Sequence, residues 1–245
     1  MYNSQTGGKV NWKDFILPAL IIVAATFWSY YVIANPTDMM VANFLTTDRL
    51  LQSLRQHIYL IVAAASLAIV TALPLGVILT RPVFKPVCGI VVAVINVLQS
   101  IPSFAVIALI FSFTGVGART AIIAIWVYSI LPILNNTIAG IRGVDNFVKD
   151  SAKGMGMKKI AVLFKIEIPL ALPIIIAGIR TAIVINVGTA VIAAFIGAGG
   201  LGDFIIAGKN TSRYSVMLIG AGLASLLALF LDSMIGLLEK ALQNR

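Results

Sequence analysis

Few side chains in this sequence are of a type that makes or breaks covalent bonds. There is one histidine, His57, and one cysteine, Cys88, whereas a zinc site needs several His, Cys or carboxylate ligands and a disulfide framework needs cysteine pairs. His57 reads as an interfacial residue at the start of an apolar segment, and Cys88 as a small apolar side chain. The nearest approach to a phosphate-binding loop is the stretch from Gly202 through Gly208 and Lys209 to Asn210. Five residues separate its glycines where four are needed, and Asn210 stands where Ser or Thr would hold magnesium. No catalytic residue, no metal site and no bound cofactor are expected in this chain.

What remains is polar chemistry set in apolar sequence. Arg180 lies twelve residues beyond Ile168 in one apolar run, roughly 18 Å along a helix, and Asp232 lies in another. Charges at that depth cost on the order of 2.5–3.5 kcal/mol on insertion scales and must face protein or water. Helical side chains lean toward the N-terminus, which tilts Arg180 and Asp232 toward each other if their helices run oppositely, and the two read as a structural ion pair. A cationic ligand would be repelled by Arg180, which argues against a direct binding role. Asn96, Gln99, Ser100 and Ser103, then Ser129, Asn135 and Asn136, then Thr181, Asn186 and Thr189 could line a wet passage. Interhelical hydrogen bonding, on average about 0.6 kcal/mol per pair, is the alternative for each. No three aromatics cluster as a cage for a quaternary ammonium group.

The elements that must position these residues follow from composition. Of 245 residues, 60% are hydrophobic and 11% charged, against about 25% charged in a soluble domain; so few charges cannot cover so much apolar side chain, and disorder is excluded by the same figures. Six stretches reach the roughly 20 residues needed to cross a bilayer: 15–33, 58–79, 87–113, 121–141, 168–196 and 214–238. The fold class is an all-α membrane protein, a polytopic bundle of about six transmembrane helices. The first stretch is too long for the core of a cleaved signal and reads as a retained anchor. With the N-terminus inside, twelve of the eighteen Lys and Arg, Lys9 and Arg245 among them, fall on the inner side and five on the outer. The positive-inside rule therefore predicts both termini in the cytoplasm, and the net charge of +9 is explained by topology with no nucleic-acid partner.

Between the first two stretches, Phe44, Leu45, Leu50, Leu51 and Leu54 give an amphipathic pattern, expected as an interfacial helix or a contact surface for an external partner. Pro74, Pro102 and Pro132 each invite a kink. The glycine-rich run from Ile196 to Gly202 is expected as a flexible outer turn or a plain connection. Residues 142–167 form the longest inner connection: Asp145 is an N-cap, a helix runs to Ala152, Gly154 and Gly156 break it, and a second short helix over 158–164 leads back to the membrane at Pro169. Phe147, Val148, Ala152 and Met155 supply apolar surface outside the spans.

This segment resembles a motif of the inner membrane permeases of binding-protein-dependent ABC importers. Asp150, Ser151 and Ala152 stand for its Glu-Ala-Ala triplet, followed by three residues to Gly156, nine to Ile166, then Ile168 and Pro169. Gln99 to Ser103, Lys153 to Met157, Ile168 to Pro173, Ala177 to Thr181 and Ile196 to Gly202 are similar to the glycine betaine, carnitine and choline branch. The resemblance implies a type I importer permease fold. It also implies that Asp150, Ser151, Ala152, Gly154 and Gly156, with Lys158 and Lys159 at the edge, contact a separate ATPase that holds ATP and Mg. Two ATP-binding subunits, a second permease subunit, identical or related, an extracytoplasmic solute-binding protein and membrane lipid are the implied partners, at the bacterial inner membrane. It divides the chain into residues 1–56, a tail, anchor and outer segment, and 57–245, the core permease domain. A permease for another small solute such as an amino acid, or an ion-coupled secondary transporter, is the alternative; the internal repeat of the latter class is not evident.

Overall fold

A computed structural model of the chain describes residues 11–243; Lys9 and Arg245 lie outside the described residues. Every regular element among those residues is helical. A short turn of helix, Trp12–Phe15, leads into α1 (Ile16–Ala34). Then come α2 (Met39–Phe44), α3 (Thr47–Leu79), α4 (Lys85–Ser100), α5 (Ser103–Thr114), α6 (Ala118–Gly143), α7 (Asn146–Gly154), α8 (Lys159–Val162), α9 (Ile168–Ala193), α10 (Gly202–Asn210) and α11 (Tyr214–Gln243). Among the described residues, six helical segments are long and apolar enough to cross a membrane.

The centre of the bundle is α3, α6 and α9. Ala64, Ala68 and Ala72 are fully buried on α3 and recur every four residues, so they form one small-residue stripe that lets α6 approach closely. Gly76 continues the stripe, and a Cβ there would lie 2.8 Å from Thr137 of α6. Leu60, Ile107, Ile125 and Leu201 fill one apolar cluster, and Ile133 and Leu134 another nearer the α7 end. By contrast α1 lies at the edge, where Trp28 packs over Gly222 of α11 and Lys240 Nζ reaches Asp14 Oδ2 at 2.7 Å.

Several sequence-based boundaries change. The stretch 87–113 is two helices, broken at Ile101 and Pro102, whereas Pro74 and Pro132 sit inside continuous α3 and α6. The expected interfacial helix is instead α2 plus the first turns of α3, capped by Asp38 and Thr46, which accept from Val41 N at 2.9 Å and Arg49 N at 3.3 Å. Its apolar face turns to protein: Val41, Leu45 and Leu50 are buried with Phe204, Val216 and Ile219, and only Leu51 among the buried-face expectations stays largely exposed. The Val41 N–H, followed by the Arg213 guanidinium, holds the Asp38 carboxyl below its ordinary range, so whatever this cap adds to stability is retained above about pH 4 and lost as pH falls through the lowered value.

The glycine run is fixed in place. Gly197, Gly199 and Gly200 have φ of +69°, +78° and +93°, and the loop is pinned at three points: Gly117 N donates to Ile196 O at 3.0 Å, Gly200 N to Gln56 Oε1 at 3.2 Å, and Leu201 N to His57 Nδ1 at 3.4 Å. His57 is therefore fully buried beneath that loop and not an interfacial residue. The stretch that imitates a phosphate loop is α10, a nine-residue helix.

Candidate functional site

Between α6 and α9 the chain folds as helix, turn, helix. Asp145 Oδ1 accepts from Phe147 N at 2.9 Å and starts α7. Gly154 is still helical, and the break falls at Gly156, with φ of +83°. Gly156 N donates to Lys153 O at 2.9 Å and Met157 N to Ala152 O at 3.1 Å, the paired bonds that close a helix on a left-handed glycine. Of the seven residues assigned to this element, Asp150, Ser151, Gly154, Gly156, Lys158 and Lys159 are exposed, with Lys153 bridging Asp150 at 2.8 Å. Ala152 is the exception: it is 1% exposed and contributes nothing to the outer surface of α7. That surface is apolar nonetheless, since Phe147 and Met155 are more than three-quarters exposed, and Ile160 and Phe164 just beyond the turn are also exposed.

The return toward α9 is continuous in helical backbone. The second helix is shorter than its expected 158–164: α8 passes into one wide turn, Leu163–Glu167, which passes into α9 without a break in the chain of helical dihedrals. Buried Glu167 receives Arg81 Nη2 at 2.5 Å, which ties this turn to the α3–α4 connection. The chain therefore runs from α8 into α9 as helical backbone, with Arg81 and Glu167 joining it to the end of α3. Sequence reasoning passed over Glu167; a lone carboxylate one residue before an apolar span was the available signal.

The polar residues proposed for a passage divide into two sets. Ser129 and Asn186 are fully buried, with Ser129 Oγ 2.6 Å from Asn186 Oδ1, and buried Thr189 donates to Ile185 O at 3.0 Å. The Ser129–Asn186 bond joins α6 to α9, and the Thr189 bond stays within α9. Asn96, Ser100 and Thr181 are exposed, with Ser100 and Thr181 hydroxyls bonded to their own helices through Asn96 O and Ala177 O. Ser103 is half-buried, and half-buried Asn135 faces a cavity between α4 and α6.

Gln99 has a distinct task. Pro132 has no N–H, which leaves the Tyr128 carbonyl without its helical partner, and Gln99 Nε2 donates to that oxygen at 2.6 Å. In return Tyr128 Oη donates to Ile101 O, a carbonyl freed by the break at Pro102. Two proline defects on neighbouring helices thus satisfy one another. Tyr128 was not singled out from sequence.

Arg180 and Asp232 meet as a bidentate pair between α9 and α11, Nε to Oδ1 at 2.6 Å and Nη2 to Oδ2 at 2.7 Å, with Glu239 Oε2 3.4 Å from Nη1. Gly236 makes the room, because a Cβ there would lie 3.1 Å from the guanidinium. Arg180→Ala is expected to lower stability by about 2 kcal/mol, less than for a fully buried pair because about a third of each side chain is exposed. The charge-swapped double variant should recover only part of this, since Glu239 then faces a carboxylate. Thermal unfolding in detergent measures both, and a double variant worse than either single change would reject the pair as the main role.

Comparison with known proteins agrees with this geometry. The sequence profile of the family "binding-protein-dependent transport system inner membrane component" matches residues 72–244. The glycine betaine/carnitine/choline transport system permease protein OpuCB of Bacillus subtilis is 42% identical over 200 residues, 81% of this chain and 91% of that protein. The choline transport system permease protein OpuBB of the same organism is 40% identical over 204 residues, 82% and 93%. The carnitine transport permease protein OpuCB of Listeria monocytogenes is 44% identical over 184 residues, 75% and 84%. Among solved structures, an inward-facing form of the MetNI methionine ABC transporter superposes with a TM-score of 0.73 at 20% identity, over 80% of this chain and 97% of that one, a likeness of fold. With its family profile spanning residues 72–244, from α3 to α11, and α7 with its glycine turn lying between the fourth and fifth apolar segments, the chain belongs to the binding-protein-dependent transport system inner membrane components.

Proposed function

We propose that this chain is the permease subunit of an ATP-driven importer for a quaternary ammonium solute such as glycine betaine, carnitine or choline. The observation that carries the reading is α7 and its glycine turn: an apolar surface between two spans, joined to the central helices by continuous helical backbone and the Arg81–Glu167 bridge, is suited to receive motion from another protein. Six of the twelve inner cations lie between Arg142 and Lys165, which favours a cytoplasmic α7 and cytoplasmic termini. The partner there is a pair of ATP-binding subunits carrying ATP and Mg, and at the opposite end an extracytoplasmic solute-binding protein. A second permease subunit, identical or related, completes the passage; α4 supports this, since Ile90, Val94 and Val97 on it are more than half exposed.

In this mechanism, closure of the ATP-binding subunits moves Asp150 to Gly156, and the wide turn before α9 transmits the displacement to the bundle. The solute arrives from the binding protein and needs only weak contacts on its way, which agrees with a polar but uncharged set of residues. Fold likeness to an amino-acid importer does not favour an amino acid, because at 20% identity only architecture is shared. Competition for uptake in proteoliposomes holding the whole assembly tests the substrate class. Unlabelled glycine betaine, carnitine or choline should suppress uptake of the labelled solute, and methionine should not; suppression by methionine alone would refute the assignment.

A further inference from the structure

We infer that the cavity beneath α7 binds the phosphate headgroup of an anionic phospholipid. This cavity, about 280 Å³, forms where the ends of α3 and α6 meet α7 and α8. Arg81, Arg142, Lys149, Lys153 and Lys159 line it against a single carboxylate, Glu167. Glu167 is engaged by Arg81 and Lys153 is engaged by Asp150. The others are poorly matched. Arg142 Nη2 donates to the Cys88 thiol at 3.1 Å, a weak acceptor, and Lys149 Nζ reaches Ile141 O only at 3.5 Å. Like charges gathered this closely repel one another, and a bound anion relieves that repulsion. Guanidinium and ammonium donors converging from four elements suit the oxygens of a phosphate.

What favours a lipid over free phosphate is the adjoining space. Arg142 also borders a second cavity of about 440 Å³ between α4 and α6, with Lys85 at its mouth and Cys88, Gly89, Val92 and Ile138 along its walls. From Lys85 to Val92 on α4, and from Arg142 back to Asn135 on α6, both walls descend seven residues, about 10 Å into the bundle. No atom lies within 4 Å of a Cβ built on Gly89, so the slot is open there. A basic headgroup pocket that shares Arg142 with an adjoining, mostly apolar slot is the form of an anionic lipid site, the slot taking the upper part of an acyl chain. The leaflet rests on the orientation proposed above; binding itself does not depend on the transport reading, so the two fail separately.

Native mass spectrometry of the detergent-solubilised assembly tests this with phosphatidylglycerol, phosphatidylcholine and inorganic phosphate as probes. Phosphatidylglycerol should be retained, phosphatidylcholine lost, and millimolar phosphate should not displace the lipid. Arg142→Gln with Lys149→Gln should weaken retention about tenfold or more, and Lys149→Arg should preserve it. Should the double variant not fold, Lys149→Gln alone, on the surface of α7, should still weaken retention measurably below that of Lys149→Arg. Equal retention of the two lipids, unchanged retention in the glutamine variants, or displacement by inorganic phosphate overturns the proposal, the last by making the pocket a free-phosphate site.

Discussion

Gly156→Val is expected to reduce solute uptake at least tenfold while the spans remain assembled. Gly156 holds φ of +83°, a region that costs an ordinary residue roughly 1–2 kcal/mol and a β-branched one more. Space is not the constraint, because nothing lies within 4 Å of a Cβ at this position. The effect is on the backbone alone: valine drives the turn to negative φ, and the bonds from Gly156 to Lys153 and from Met157 to Ala152 cannot both persist. The far end of α7 then swings away from α8, and its exposed surface no longer moves with α9. About 1.4 kcal/mol is a tenfold change in population, so the strain suffices. Gly156→Asn should keep much more uptake, since asparagine tolerates the left-handed region. Uptake rates normalised to the amount of chain in the membrane check this order, and valine activity equal to that of glycine would remove the turn from the coupling route.

Gly178→Leu should prevent the bundle from forming, with a loss above about 3 kcal/mol, the upper range for overpacking. A Cβ at Gly178 would lie 2.5 Å from Asn136 Cβ and 2.8 Å from Pro132 O, so α6 and α9 touch here through backbone and the first side-chain atom, neither of which can rotate aside. Gly178→Ala should cost about 2 kcal/mol by the same contact. On the same helix, Gly188 is exposed and has nothing within 4 Å of a Cβ; Gly188→Ala should be neutral or gain up to about 1 kcal/mol from helix propensity. Unfolding in detergent ranks the three, and a tolerated leucine at 178 would mean that α6 and α9 separate without loss of the fold.

How much of this could be read in advance depends on where the cause lies along the chain. Asp145, Gly156 and Pro169 act on their own neighbours, so the helix–turn–helix was legible from local rules, as were the six apolar segments. The reach of Arg180 toward Asp232 follows from the direction in which helical side chains lean. The three prolines looked alike, yet only Pro102 breaks its helix; the carbonyls at Tyr128 and Ile101 are met by Gln99 and by the Tyr128 hydroxyl, partners that only folding brings together. His57 and the glycine run are distant in sequence, and their hydrogen bond across 144 residues replaces the expected flexible turn. Gly154 and Gly156 were indistinguishable by composition, because what separates them is a dihedral angle. The nine residues of α10 were missed because two of them are glycine and the run is too short to show periodicity.

The central claim is that energy enters this chain through α7 from ATP hydrolysed elsewhere. Uptake of labelled glycine betaine into proteoliposomes holding the whole assembly, with ATP enclosed or omitted on the α7 side and all ion gradients collapsed, tests it most directly. The expected result is uptake that requires hydrolysable ATP and is lost with Gly156→Val. Uptake by this chain alone, driven by an ion gradient without ATP, would contradict it.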